Sequence, residues 1–340
     1  MGAARKTGKR SVTSAILPRS EVAADRAQVS HLRVGPESAG QRLDNFLIRL
    51  AKGVPKSHVY RIVRSGEVRV NRSRVAADYR IQAGDDIRVP PLRTGRAPEG
   101  SRTAAPPLMP PLLYEDDDLV AVDKPSGLAV HGGSGVSHGV IERVRAARRS
   151  QPFIELAHRL DRETSGVLLL AKSRRALLSL HEQLREGEVD KRYLVLVAGD
   201  WANDRQHVRL PLTKYVDRAG ERRVAVDADG MASHTIFTLR QRYGEFSLLE
   251  AQLRTGRTHQ IRVHLAHLGF PIVGDDRYGD FELNRRFARG EIGPRFGRMF
   301  LHAASTRLRH PVTDEVLALE SPLPPECTAL LRALEARRAK

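Results

Sequence analysis

The sequence predicts an α+β protein of two domains, a small α/β domain followed by a larger one with a mixed, largely antiparallel sheet flanked by helices. Three observations favour this class. At 340 residues, the chain is longer than one compact core usually requires. A segment dense in proline and glycine interrupts it near residue 100. Beyond that segment, apolar runs of strand length outnumber helical patterns and are separated by turn residues.

The composition is strongly basic. The chain carries 57 Lys and Arg against 40 Asp and Glu, a formal net charge of +17, and its sequence pI is about 10.6. This excess goes beyond what solubility needs and indicates a polyanionic partner, with nucleic acid favoured over a membrane surface. No segment has the apolar length of a membrane span and the start of the chain lacks the apolar core of a secretory signal, so we expect a soluble, cytoplasmic protein.

The cysteine and histidine content argues against a metal centre. Cys327 is the only cysteine, which excludes an internal disulfide and favours a small packing residue. His259, His264 and His267 are close in sequence, but their spacing matches no standard zinc pattern. The glycines of residues 131–135 lack the Gly-Lys-Ser/Thr ending of a phosphate loop and are better explained as turn residues. We therefore predict no metal and no cofactor.

The chain begins with a basic segment that has no apolar periodicity, and we predict a disordered basic arm over residues 1–34. Apolar residues at helical spacing then predict one helix over residues 43–50 and a second through residues 59–63. Two short strands follow, over residues 66–71 and 84–89.

This arrangement of two helices and strands resembles the S4 type of RNA-binding domain, which we place at residues 35–96. Between residues 41 and 96 there are thirteen Lys or Arg and five Asp or Glu. As a set, these charges favour contacts with phosphates, although any one of them is as readily explained as a solvated side chain. The predicted RNA-binding residues of this domain are Lys56, Arg61, Arg64, Arg69, Arg72 and Arg74.

The proline and glycine density predicts an extended, semi-rigid linker over residues 97–112 and a second domain over residues 113–340. A buried strand over residues 119–123 leads into Lys124 and the turn residues Pro-Ser-Gly. Lys124 is explained either as a phosphate contact or as a cation at the end of a strand.

The second domain is organised around residues 158–166, His-Arg-Leu-Asp-Arg-Glu-Thr-Ser-Gly, which run directly into an apolar strand over residues 167–172. Asp161 lies between two arginines in this polar turn, a position that suits a reactive carboxylate at the edge of a sheet. From the residues alone, a turn or capping aspartate that accepts local backbone hydrogen bonds is the commoner explanation.

A helix with an apolar face is predicted over residues 174–188, and a strand then begins at Tyr193. Further strands are predicted over residues 208–212, 223–227, 233–240 and 246–253. A helix is expected from Thr258, as its N-cap, to Gly269, with Arg262 on a face that can point away from the buried stripe. The chain closes with a basic stretch over residues 285–298, disordered or facing RNA, and with final strands and a helix near residues 325–338.

Three separated motifs resemble the signature of the RluA-type pseudouridine synthases. They are Lys-Pro-Ser-Gly at residues 124–127, HRLDxxTSG at residues 158–166, and Thr-Gly-Arg-Thr-His-Gln-Ile-Arg-Val-His at residues 255–264. The resemblance extends from about residue 40 to about residue 325. It implies a pseudouridine synthase catalytic domain after the S4-like domain, and an enzyme that isomerises uridine in RNA without a cofactor.

The resemblance also implies roles for single residues. Asp161 would be the catalytic carboxylate and Arg262 its partner, whereas Tyr193, in a Lys-x-Tyr motif, would stack on the target uracil. Arg159 would enter the space that a flipped base leaves in the RNA. Further contacts with RNA are predicted for Lys124, Arg257 and His259. The sequence around the motifs is most similar to family members that act on 23S ribosomal RNA, so the expected partner is that RNA or a large-subunit precursor, with no obligate protein partner.

Two other functions are compatible with the sequence. A related synthase acting on other uridines of ribosomal RNA, or on tRNA, would share the motifs, because surface loops set the choice of site. A noncatalytic ribosome assembly factor would share the S4-like domain and the charge of +17. The combination of Asp161, Tyr193 and Arg262 argues against the second alternative, since a binding protein does not need these three residues together.

Overall fold

A computed structural model describes residues 29–51, 54–92, 108–132, 138–217 and 220–338. The chain divides into two compact units, with the boundary between residues 103 and 104. The predicted basic arm lies outside the described residues up to position 28, as do the predicted linker from 97 to 107 and most of the glycine-rich segment 131–135. No helix in the described part of the chain is both long and apolar enough to cross a membrane.

The first unit contains two helices packed on a small sheet. Its elements are β1 (Ser30–Arg33), a short 3-10 helix (Pro36–Ser38), α1 (Leu43–Leu50), α2 (Lys56–Arg64), β2 (Arg69–Val70) and β3 (Asp86–Val89). The strands pair antiparallel in the order β1-β3-β2. Leu43 and Leu47 of α1 pack with Ile62 of α2 and Ile87 of β3 in one buried cluster, which confirms both helices predicted from apolar spacing.

The strand β1 corrects the predicted extent of the basic arm. Sequence analysis placed residues 30–33 in a disordered arm, but His31 pairs with Arg88 across the sheet, and Leu32 packs against the core of the unit. This part of the prediction was wrong because the strand has only four residues and a single large apolar side chain. Such a segment becomes a strand through its pairing with β3, which local sequence does not encode.

The second unit is built on one large sheet. Its strands are β4 (Leu112–Glu115), β5 (Leu119–Lys124), β6 (Glu155–Leu156), β7 (Ser165–Ala171), β8 (Asp190–Ala198), β9 (Arg205–Val208), β10 (Leu212–Val216), β11 (Arg222–Val226), β12 (Thr235–Arg242), β13 (Phe246–Leu253), β14 (Leu301–Arg309) and β15 (Val316–Glu320). Its helices are α3 (Val140–Ala147), α4 (Arg174–Glu186), α5 (Gln260–His267), α6 (Phe281–Arg289) and α7 (Pro325–Arg338).

Ten of these strands form a sheet in the order β4-β5-β7-β14-β8-β13-β12-β9, with β6 added to β7 and β15 to β14. Among the described strands of this sheet, β7 and β14 pair parallel and the other pairs are antiparallel. The strands β10 and β11 form a separate antiparallel ribbon. The predicted fold class, α+β with a mixed and largely antiparallel sheet, is therefore confirmed.

The strand β7 is buried on both faces, which explains its uninterrupted apolar sequence. Leu168 and Leu170 point into a core shared with α3 and α5, whereas Val167 and Leu169 point into a core shared with α4. Successive side chains of a strand alternate between its faces, so each layer of helices takes every second residue. The turn at the start of β7 is consequently held between two packed layers.

Two predicted segments differ from the structure. Residues 208–212 do not form one strand, because β9 ends at Val208 and β10 begins at Leu212, with Pro211 between them unable to donate a ladder hydrogen bond. The basic stretch 285–298 is ordered: α6 begins at its N-cap Asp280, whose side chain accepts from the backbone N–H of Leu283 at 3.0 Å. The disordered alternative for this stretch was therefore wrong.

Candidate active site

Asp161 lies in the tight turn between β6 and β7. The turn is closed by a hydrogen bond of 3.2 Å from the backbone N–H of Thr164 to the carbonyl oxygen of Asp161. The side chain of Asp161 is 19% exposed and faces a cleft of about 470 Å³. The walls of this cleft come from the turn itself, the end of α4, the start of β8, the loop before α5, and Leu301 of β14. The carboxylate is thus accessible from one side only.

Lys124 supports this turn from behind. Its ammonium group donates to the carbonyl oxygens of Pro125 at 3.0 Å, Leu128 at 2.7 Å and Arg162 at 2.9 Å. The residue is 0% exposed, and burial lowers its pKa to about 7, against the opposing effect of the carboxylates of Glu163 and Asp161. Lys124 cannot reach RNA from this position, so its predicted RNA contact is corrected to a clamp between two turns.

Replacement of Lys124 by methionine is expected to destabilise the protein. The three carbonyl oxygens would lose their donor inside the protein, and we expect the free energy of unfolding in urea to fall by about 3 kcal/mol. The exposed Lys214, on β10, provides the matched control, because Lys214→Met removes the same charge from the surface. Weaker RNA binding by Lys124→Met without any loss of stability would restore the role as an RNA contact.

A second support holds the start of β7. The hydroxyl of Ser165 lies 2.9 Å from Nδ1 of His302 and accepts from Arg298 at 2.6 Å. The other ring nitrogen of the buried His302 lies 3.0 Å from the carbonyl oxygen of Ser321. Since that carbonyl can only accept, Nε2 carries the proton and Nδ1 accepts from Ser165. Gly166 follows with φ 109°, and a Cβ there would lie 2.2 Å from the carbonyl oxygen of Ala303, so only glycine permits the close parallel pairing with β14.

Arg262, on α5, faces the carboxylate of Asp161. Its Nη1 lies 3.2 Å from Oδ2 of Asp161, and its Nε and Nη2 each donate at 2.7 Å to the two oxygens of Asp275. The exposed Asp276 makes a weaker contact at 3.3 Å, and the ring of Tyr278 lies 5.1 Å from the guanidinium carbon. Arg262 is therefore held by a bidentate pair, with one nitrogen left to orient Asp161.

Burial and nearby charges have opposite effects on the pKa values of Arg262 and Asp275. Burial favours the neutral form of Arg262, but the hydrogen-bonded carboxylate of Asp275, and then Asp161, raise the pKa of Arg262 above its usual value. Burial likewise favours protonated Asp275, but Arg262 outweighs it and lowers the pKa of Asp275. Both groups are charged at neutral pH, and each depends on the other.

Tyr193 forms part of the cleft wall from its position on β8. Its side chain is 7% exposed and packs in the same core as Leu168 and Ile261. Burial, and then the charge of Asp161, raise the pKa of Tyr193. The side chain is therefore a neutral phenol at physiological pH, with an apolar ring at the cleft.

His259 begins the helix α5 in an unusual conformation. Thr258 was predicted as the N-cap, but the N-cap is His259, in the left-handed region with φ 54°. Its Nδ1 lies 2.9 Å from the hydroxyl of Tyr278, and its Nε2 lies 3.8 Å from Oδ1 of Asp161. Burial lowers the pKa of His259, although the charge of Asp161 acts against it. His259 therefore lines the cleft as a fixed neighbour of the carboxylate.

The predicted RNA-binding residues are distributed over both units. In the second unit, Arg159 and Arg257 are exposed and line the same cleft as Asp161. In the first unit, a cleft of about 570 Å³ is lined by basic side chains that include Arg69, Arg72 and Arg74. Arg61 and Arg64 are exposed on α2, and Arg61 pairs with Glu67 at 3.0 Å. Lys56 starts α2, and its side chain lies outside the described residues.

Sequence reasoning missed the roles of Asp275 and Tyr278. An aspartate of an irregular loop gives no periodic signal, so its pairing with an arginine of a helix cannot be read from the sequence pattern. Within the described residues, no group of three or more His, Cys, Asp or Glu side chains is placed to hold a metal ion. His264 instead hydrogen-bonds with Ser233 at 2.8 Å and Thr235 at 3.0 Å, and burial lowers its pKa to about 4.

Comparison with known proteins places this arrangement in a family. Residues 118–267 match the RNA pseudouridylate synthase family, and residues 41–87 match the S4 domain. The chain is 49% identical over 301 residues to ribosomal large subunit pseudouridine synthase C of Escherichia coli K12, covering 87% of this chain and 93% of that one. It is 47% identical over 315 residues to the protein of that name from Pasteurella multocida, covering 92% and 95%.

Similar solved structures support the same family. Human RNA pseudouridylate synthase domain containing 4 superposes with a TM-score of 0.54 at 26% identity, covering 66% of this chain and 92% of that one. Human RNA pseudouridylate synthase domain containing 1 gives a TM-score of 0.51 at 25% identity, covering 66% and 94%. The chain therefore belongs to the RluA-type RNA pseudouridylate synthases, enzymes that isomerise uridine in RNA, and it carries an S4 domain before the synthase domain.

Proposed function

We propose that this enzyme converts specific uridines of 23S ribosomal RNA, or of a large-subunit precursor, to pseudouridine, with Asp161 as the catalytic carboxylate. The observation that carries the proposal is the contact of 3.2 Å between Asp161 and Arg262 inside a cleft whose wall contains Tyr193. The names of the relatives from E. coli and P. multocida support the ribosomal substrate. Such a substrate would place the enzyme in the cytoplasm.

The reaction needs one reactive group and a closed site. The bond between C1′ of ribose and N1 of uracil must break, the base must turn, and C5 must join C1′ while the base stays bound. A single carboxylate can act in this sequence as a nucleophile or as a base, without redox chemistry. Asp161 could attack C1′, add to the base, or remove the 2′ proton to give a glycal, and we favour the glycal route. In each case Arg262 holds the carboxylate in one orientation.

Tyr193 suits the role of a platform for the base. Its ring is fixed by the core, and its raised pKa keeps the phenol neutral, so it presents a π-face without a charge. Stacking of a base on an aromatic side chain contributes about 1–3 kcal/mol. We propose that Tyr193 keeps the detached uracil within reach of C1′.

Arg159 is proposed to fill the gap left by the flipped uridine. It is exposed at the cleft, two residues before Asp161. We expect Arg159→Ala to lower kcat/KM roughly tenfold on a folded rRNA fragment, where unstacking costs a few kcal/mol, and much less on a short unstructured RNA. Arg162→Ala is the control, because Arg162 flanks Asp161 on the other side and lies outside the cleft lining. Equal losses on both RNAs would exclude a role in base extrusion.

Tritium release tests the proposed function. Uridine labelled at C5 loses its tritium to water when C5 joins C1′, so 23S rRNA from cells that lack the enzyme is the appropriate substrate. Release by the wild-type protein, with the modified positions mapped, would establish both the reaction and its sites. Release from tRNA alone would identify a related synthase with another target. Tight binding to both RNAs without release would leave the assembly factor as the function.

A further inference from the structure

Basic side chains lie at one end of four adjacent strands of the large sheet. Lys191 stands at the start of β8 and pairs with Leu253 at the end of β13. Leu253 pairs with Thr235 at the start of β12, and Thr235 pairs with Val208 at the end of β9. Lys191 shares a face with the residues of these pairs, whereas the basic side chains next to the pairs on the opposite face are Arg254, His234, His207 and Arg209. We call these four residues the basic row.

The side chains of the basic row are close to one another. Nε2 of His234 lies 3.2 Å from Nδ1 of His207, and their ring centroids are 5.3 Å apart. The backbone N–H of Arg254 donates to the carbonyl oxygen of His234 at 3.1 Å. Burial, and then the charges of Arg209, His207 and Arg254, lower the pKa of His234. Positive groups are therefore crowded together in this part of the sheet.

The cations of the row lack the carboxylate partners that neighbouring arginines have. On the same sheet, Arg192 pairs with Asp190 at 2.9 Å, and Arg242 pairs with Asp200 at 3.2 Å. Within the described residues, neither of the two arginines of the row, Arg209 and Arg254, forms such an ion pair. Like charges kept close together without anions raise the energy of the free protein, which a bound anion would relieve.

The row starts next to a segment that lines the active-site cleft. Lys191 lines the cleft two residues before Tyr193, on the face of the sheet opposite to the row. Arg254 is followed directly by residues 255–257, which also line the cleft. Adjacent strands are about 4.8 Å apart, so the row extends roughly 10 Å from β13 to the edge strand β9.

We propose that the basic row binds the backbone of the RNA strand beside the target uridine and leads it away from the cleft. This inference rests on the proposed function, and it adds a contact with the RNA backbone outside the cleft. A row of cations that follows the ends of strands fits successive phosphates of a single strand, which carry charge at regular intervals. Bases of a strand bound in this way remain free, so the row would position the substrate without reading its sequence.

The salt dependence of RNA binding by the full-length protein tests this inference. The variant Arg209→Gln/Arg254→Gln removes two charges of the row, whereas Arg175→Gln/Arg332→Gln removes two exposed arginines of α4 and α7 that lie outside the cleft lining. The probe is a 23S rRNA fragment, titrated at several KCl concentrations. Two lost phosphate contacts should make the slope of log K against log [KCl] less steep by about 1.4, with several-fold weaker binding near 0.1 M salt. The control variant should keep the wild-type slope.

Tritium release separates this inference from the proposed function. With a functioning row, the Arg209→Gln/Arg254→Gln variant should show a higher KM and an unchanged kcat. If both double variants have the same slope and the same affinity, the basic row does not bind RNA, even where wild-type turnover is normal. If the wild-type protein releases no tritium, the proposed function fails, while the change in slope still decides whether the row binds RNA. Equal thermal unfolding midpoints of the variants exclude misfolding as the cause.

Discussion

Asp161→Asn is expected to abolish turnover while the protein remains folded and still binds RNA. Asparagine has the shape of aspartate and can accept a hydrogen bond from Arg262, but its amide is neither a nucleophile nor a base. We expect tritium release from 23S rRNA to slow by about 10³-fold or more. Because the side chain is partly exposed at the cleft, the free energy of unfolding should change by less than about 1 kcal/mol.

Glu163→Gln is the matched control for this substitution. Glu163 belongs to the same turn, and its replacement also converts a carboxylate to an amide, but it lies outside the cleft lining. Its carboxylate is 3.4 Å from Arg162, in a partly exposed pair that contributes little to stability. Activity of the Glu163→Gln variant should stay near the wild-type level. Comparable rates for the two variants, or substantial turnover by Asp161→Asn, would remove Asp161 from the chemistry.

The sequence predicted much of this site because its elements carry strong local signals. The apolar run of β7 and the spacing of α5 predicted a turn and a helix, and a resemblance connected Asp161 with Arg262. The predicted contact between these two side chains is present at 3.2 Å. The fold class followed from the succession of short strands, each with its own alternating or apolar pattern.

What sequence did not provide was the partner of each charged group. Lysine usually lies on the protein surface. The burial of Lys124 depends on carbonyl oxygens from two turns, and one of these oxygens belongs to Arg162, 38 residues further along the chain. Asp275 stands in a loop without periodicity, so its pairing with Arg262 depends on how that loop folds back on α5. These contacts follow from tertiary packing, which overrides the usual preference of charged residues for the surface.

The dependence of Arg262 on a buried carboxylate can be tested with two adjacent aspartates, Asp275 and Asp276. Both contact Arg262, but the side chain of Asp275 is 0% exposed and accepts two hydrogen bonds of 2.7 Å, whereas Asp276 is 67% exposed and contacts Arg262 at 3.3 Å. Asp275→Asn would remove the buried, bidentate carboxylate from Arg262 and leave only the longer contacts with Asp161 and Asp276, and we expect the free energy of unfolding to fall by about 3 kcal/mol. For Asp276→Asn, the expected loss is below about 0.5 kcal/mol.

The catalytic activity of the two variants should differ in the same direction as their stability, with the larger loss for Asp275→Asn. Asp275 also accepts from the backbone N–H of Arg277 at 2.8 Å and of Tyr278 at 3.0 Å, so it fixes the loop as well as the guanidinium. With Asp275→Asn, Arg262 would be free to turn toward Asp161, and the carboxylate would lose its fixed orientation. We expect kcat to fall by at least about tenfold at a temperature where the variant is fully folded, with KM changed less, because orientation acts on the chemical step. Equal kcat values for the two variants would show that Arg262 needs no buried partner to orient Asp161.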